Sequence, residues 1–238
     1  MITKKIFIFL ILINIILLSL YINNFNIENS PTEPESISDM PDKIESLQEL
    51  QELDIVYTRL YLYENCEKYN IDTDSIGIMG YSAGAHLAML YSYTPNETKD
   101  VMNIKYCLSF AGPTKFYGEE LQDFSPETIG LIENLFGGTC ENEEKEREYM
   151  QGSPYAYIDY LKDLEDWENK VPLLLAHDET DDVVPFSQSQ IIYDKATEAG
   201  IECQLLKLRG FGHQINFNNY SKNDETVRTI LDFIYKYS

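Results

Sequence analysis

Apolar residues recur at three- and four-residue spacing through Ile44, Leu47, Leu50, Leu53, Val56 and Leu60, which puts one apolar stripe on a long helix running to about Tyr69, with Asn70 as its stop. Residues 75–79 then read as a short buried strand and 83–93 as a helix rich in small and apolar side chains. A second strand is predicted over 104–110, a third over 173–176 and a fourth over 203–208. Helices are predicted over 188–199, closed by Gly200, and over 226–237 at the end of the chain. Between Gly112 and Asn169 the chain is polar and aromatic, and its tyrosines are read as packing. The charged run Glu143 to Glu148 fits an exposed helix. Apolar strands alternating with helices imply an α/β fold: a parallel sheet with helices on both faces.

The amino terminus follows another pattern. Lys4 and Lys5 precede an apolar run over 6–22 broken by Asn14 and Ser19, and no A-x-A cleavage pattern follows it. Residues 1–22 are therefore expected to be a signal anchor that tethers the rest of the chain on the far side of a membrane, or a signal peptide if the segment is cleaved and the protein secreted. Residues 23–43, rich in Pro, Ser, Glu and Asn, read as a polar linker. The folded domain is expected over 44–238.

A net charge of -22, from 18 basic and 40 acidic residues, argues against nucleic acid as a partner. It reads as a solvated acidic surface. Cys66, Cys107, Cys140 and Cys203 form no C-x-x-C pair, so neither zinc nor thioredoxin-like chemistry is supported, and no metal or cofactor is expected. Cys107 and Cys203, inside apolar runs, are read as small buried hydrophobes.

The chemistry is concentrated in three places. Gly80-Tyr81-Ser82-Ala83-Gly84 is a G-x-S-x-G sequence between a predicted strand and a predicted helix, where a sharp turn lifts a serine hydroxyl above a sheet. A serine hydroxyl is a weak nucleophile at neutral pH and needs a base, with a third group to orient that base. Of the three histidines, His213 follows the last strand at the sheet edge where Ser82 emerges. His86 falls on the helix after Ser82 and is expected to pack away from it, while His177 is read as a near-core side chain. Asp178, Glu179, Asp181 and Asp182 crowd one loop; Asp181 is the preferred acid and Asp182 the runner-up. The order Ser82, Asp181, His213 is that of α/β-hydrolases rather than of chymotrypsin-like or subtilisin-like proteases.

From about Asp54 onward these segments resemble the acetyl-esterase and feruloyl-esterase-like branch of the α/β-hydrolases, related to hormone-sensitive lipase. The resemblance lies in Glu67 to Asp72, Gly80 to Ala88, Ser109 to Thr114, Ser153-Pro154 and His177 to Pro185. It implies an esterase with Ser82 as nucleophile, His213 as base and Asp181 as acid, the last by likeness to an H-G-x-x-D-x-x-V-P loop. It also implies small acyl-ester substrates, such as acetyl or feruloyl esters of carbohydrates. Asp178 replaces the usual glycine of that loop, which is expected to distort it. No H-G-G-G loop precedes Ser82, so the fold is expected to be N-terminally truncated, with Ala83 N–H as the one oxyanion donor and an open sheet edge prone to self-association. Two other readings stand beside this one: a noncatalytic relative serving as a binding or assembly module, and a prolyl-oligopeptidase-like serine peptidase.

Overall fold

The computed structural model describes residues 47–73, 76–95, 104–162, 170–215 and 220–238. The expected anchor (1–22) and linker (23–43) lie outside them, as does Ile44; none of the described helices is long and apolar enough to cross a membrane.

Helix α1 (Leu47–Glu64) and the single turn α2 (Cys66–Tyr69) lead into the sheet. Asn70 ends α2 in the left-handed conformation, φ 53°, with its N–H donating to the Glu67 carbonyl and the Ile71 N–H to the Cys66 carbonyl. Four strands follow: β1 (Ile76–Tyr81), β2 (Ile104–Phe110), β3 (Leu173–Asp178) and β4 (Cys203–Leu208). They pair in parallel in the order β1-β2-β3-β4. Helix α3 (Ala83–Tyr93) connects β1 towards β2, and α7 (Ser187–Glu198) connects β3 to β4. The stretch between β2 and β3 holds α4 (Pro126–Leu135), α5 (Glu143–Gln151), α6 (Pro154–Lys162) and a 3-10 turn at Glu119–Asp123. Helix α8 (Tyr220–Tyr237) closes the chain and begins six residues before the expected 226.

Side-chain alternation along the strands divides the core in two. Ile78, Cys107, Leu173 and Leu175 face Leu87, Ala88 and Met89 of α3, Ile158 of α6, and Ile192 and Ala196 of α7. Tyr106, Leu108, Phe110, Leu174, Ala176 and Leu208 face Phe233 and Ile234 of α8. Helices therefore cover both faces, as the patterning required. A third cluster of Phe116, Leu121, Phe124, Ile132, Phe136, Tyr149 and Val184 is built from the segment after β2. Among the described residues β1 pairs with β2 alone, which leaves its other edge open. All four cysteines are free; Cys107 is buried, whereas Cys203 is half-buried against the core.

The ladder continues past the strand ends. Ser82 N–H donates to Phe110 O at 2.8 Å, Ala111 N–H to Ala176 O at 3.0 Å, and Glu179 N–H to Leu208 O at 3.0 Å. The turns after β1, β3 and β4 thus emerge in one row at the carboxyl edge of the sheet.

Candidate active site

Ser82 sits in the turn between β1 and α3 with φ 53° and ψ -123°, a region that non-glycine residues seldom occupy. The turn is tight because β1 runs directly against the first turn of α3. A side chain at Gly80 would place its Cβ 2.0 Å from the Gly84 carbonyl oxygen and 2.5 Å from Ala85 N. The Ser82 carbonyl accepts the N–H groups of Ala85 and His86. Ala83 opens α3, where backbone N–H groups have no acceptor within the helix and point towards incoming negative charge.

His213 reaches this turn from the loop after β4. Its Nε2 lies 2.9 Å from Ser82 Oγ, and its Nδ1 lies 2.8 Å from Asp181 Oδ2. With the proton on Nδ1 and donated to Asp181, Nε2 accepts the Ser82 hydroxyl. Ser82 is nearly buried, at 6% exposed. The structure brings together Ser82, His213 and Asp181 as the sequence predicts; the runner-up Asp182 is exposed. The glycine-to-aspartate change at 178 does not pull the acid loop away from the histidine.

Asp181 is held from four directions. Its Oδ1 accepts the N–H groups of Val183 and Val184, each at 2.9 Å, and its Oδ2 accepts His213 and, at 3.2 Å, His177 Nε2. Burial alone would push its carboxyl up, but the bonds from His177, His213, Val184 and Val183 together hold it well below the usual carboxylate range. It is an anion at any pH where the imidazole needs one. His177, read from the sequence as a near-core side chain, is fully buried and also belongs to this network: its Nδ1 lies 2.7 Å from Ser189 Oγ and its Nε2 2.9 Å from Val184 O. The sequence signs of it were the four-residue spacing from His177 to Asp181 and the place of His177 at the head of the H-G-x-x-D-x-x-V-P likeness.

Two further residues act on the base-bearing loop. The Tyr81 hydroxyl donates to the backbone carbonyl of His213, and the two rings lie 5.4 Å apart. Burial, with the Asp181 charge nearby, keeps that phenol protonated by raising its pKa. Asp178 accepts Phe211 N–H at 2.7 Å. His86 packs away from Ser82, as expected, with Nδ1 3.3 Å from Pro113 O and its ring 4.9 Å from that of Phe116. Among the described residues no group of three or more His, Cys, Asp and Glu is placed to hold a metal ion.

The BD-FAE family model matches residues 50–196, more than half of the chain. No curated protein matches it. Among solved structures, a truncated form of a carbohydrate esterase from gut microbiota is 23% identical, with a TM-score of 0.57 over 78% of this chain and 67% of that one. A thermophilic esterase from the Planctomycetes species Thermogutta terrifontis is 17% identical over 80% of this chain and 66% of that one, with a TM-score of 0.56. A puromycin-hydrolyzing peptidase from Mycobacterium tuberculosis is 19% identical with a TM-score of 0.61, over 79% of this chain but 25% of that one. These likenesses are likenesses of fold.

Proposed function

The chain belongs to the BD-FAE family of α/β-hydrolase esterases, and from that premise we propose that it is a serine carboxylic-ester hydrolase acting on small acyl esters, with acetyl or feruloyl esters of carbohydrates as the substrate class. The observation that carries the proposal is the continuous hydrogen-bonded line from Ser82 Oγ through His213 to Asp181, set on a strained turn at the sheet edge. The carbohydrate and small-acyl assignment leans on the family and on neighbours that include a carbohydrate esterase and a propionate-bound esterase.

In this reading Ser82 Oγ attacks the ester carbonyl while His213 Nε2 takes its proton, and Asp181 stabilises the resulting imidazolium. The carbonyl oxygen becomes an oxyanion beside Ala83 N–H and the amino end of α3. Collapse of the tetrahedral intermediate breaks the bond to the alcohol oxygen, which leaves with the proton from His213. An acyl group remains on Ser82. Water, deprotonated by His213, then attacks the acyl carbonyl, and the carboxylic acid leaves as Ser82 regains its proton.

A fluorophosphonate probe tests the assignment directly, because it labels only an activated serine. Label should appear on Ser82 and vanish in Ser82→Ala and His213→Ala, whereas Asp182→Asn should label like the parent. Undiminished labelling of Ser82→Ala would show that another residue carries the reactivity. Hydrolysis of aminoacyl anilides in place of p-nitrophenyl esters would move the substrate class towards the peptidase neighbours.

A further inference from the structure

Asp178 ends β3 with its side chain fully buried, and a buried carboxylate survives only where donors surround it. The donors here come from two different loops. Oδ1 accepts Thr180 N–H at 2.7 Å and Thr180 Oγ–H at 2.6 Å, within the turn that presents Asp181. Oδ2 accepts Phe211 N–H at 2.7 Å, within the loop that presents His213. The Asp178 carbonyl also accepts Asp181 N–H at 3.2 Å. One residue therefore joins the turn holding the acid to the loop holding the base.

The base-bearing loop needs such a tie. Gly210 and Gly212 both have positive φ, 81° and 59°, so the backbone around Phe211 has little side-chain restriction of its own. Free to move, it would place His213 Nε2 over a range of distances from Ser82 Oγ; a shift of about 1 Å in a reacting group can cost about 10²-fold in rate. Two contacts oppose that motion: the Asp178 carboxylate on the Phe211 N–H, two residues before His213, and the Tyr81 hydroxyl on the His213 carbonyl. Tyr81 fixes the loop to the strand that carries Ser82, and Asp178 fixes it to the strand that carries Asp181.

We propose that Asp178 is a positioning residue of this site: its carboxylate latches the His213 loop onto the Asp181 turn and so sets the distance from His213 to both Ser82 and Asp181. The proposal rests on the serine-hydrolase reading above. It concerns distance and order, so its signature is in turnover and not in substrate affinity.

The test uses the full chain with a fluorophosphonate probe and p-nitrophenyl acetate. Asp178→Ala leaves the Phe211 N–H group without this acceptor, and both the Ser82 labelling constant and kcat should fall by about 10²-fold with KM unchanged. The far-downfield proton resonance of the His213 Nδ1–H bond to Asp181, expected in the parent and in Ser82→Ala, should be lost in Asp178→Ala. Thr180→Val removes only a hydroxyl bond to Oδ1 and should label at the parental rate. If Asp178→Ala does not fold, Asp178→Gly, which places the usual residue of the resembling loop there and likewise has no acceptor, decides the matter by the same readouts. Parental labelling with a retained resonance in a folded Asp178 variant overturns the latch, as does a loss carried by KM alone. Loss of the Ser82 assignment is separate: it would show as undiminished labelling of Ser82→Ala.

Discussion

His86 stands four residues after Ser82, yet its imidazole serves the fold. It is sealed beneath Phe116, and its hydrogen bond to Pro113 O is too weak a compensation for lost water: burial pushes its pKa down to about 4. An unfolded chain would protonate the same ring near 6.5. Between these values the unfolded state binds the extra proton, so stability is fully present above about 6.5 and falls as pH drops towards 4, by about 3 kcal/mol in total. Asp181 adds a second loss at lower pH, because its carboxyl is depressed and must be protonated below the ordinary carboxylate range. Urea unfolding from pH 7 to pH 4 should show the first decline in the parent, and in His86→Gln the slope over that window should flatten even though the variant starts less stable. An unchanged slope would mean that the ring is hydrated.

At the scale of elements, the glycines separate positions that the fold needs empty from those it merely tolerates. Gly80→Ala would drive a methyl group into the backbone of Gly84 and Ala85, which cannot yield without opening the turn that holds Ser82, so a cost of about 3 kcal/mol or more is expected. Gly130, inside α4, has nothing within 4 Å of the position a Cβ would take, and Gly130→Ala should stabilise by about 0.5–1 kcal/mol through reduced freedom of the unfolded chain. Chemical unfolding midpoints of the two variants should move in opposite directions. The same contrast explains what could be read in advance. The strands and α3 were visible because their apolar residues are neighbours in sequence and share a face. The cap after β2 was not, since Phe116, Phe124, Phe136 and Tyr149 each come from a different segment and leave no period. Of its helices, α5 was marked by the charged run Glu143 to Glu148, and the starts carried a further sign: Ser125 before Pro126, and Asn142, whose side chains accept Thr128 N–H and Lys145 N–H. Ser82, Asp181 and His213 could be found because motif and chain order name them. Tyr81 and Asp178 reach the His213 loop across the fold, which no local pattern encodes, whereas His177 meets Asp181 within one motif.

At the scale of the whole molecule, the chain spans 67% of the gut carbohydrate esterase and 66% of the thermophilic esterase. The described strands lie from β1 towards the His213 side, and among the described residues β1, the strand that delivers Ser82, is one of the two edge strands, the other being β4. In the proposed mechanism Ala83 N–H is one donor, and where one of two is missing turnover typically falls by about 10²- to 10³-fold. The hydrogen-bonded line from Ser82 to Asp181 does not depend on that donor. Nucleophile activation and oxyanion stabilisation are thus separable in this chain. A fluorophosphonate should therefore label Ser82 readily while p-nitrophenyl acetate turns over slowly, with kcat of about 0.1 s⁻¹ or less against a typical enzyme value of about 10 s⁻¹. Burst and steady-state measurements on the same preparation provide both numbers. A kcat near the typical value would mean that a second donor reaches Ser82 from outside the described residues, and labelling without any Ser82-dependent turnover would favour a noncatalytic binding role.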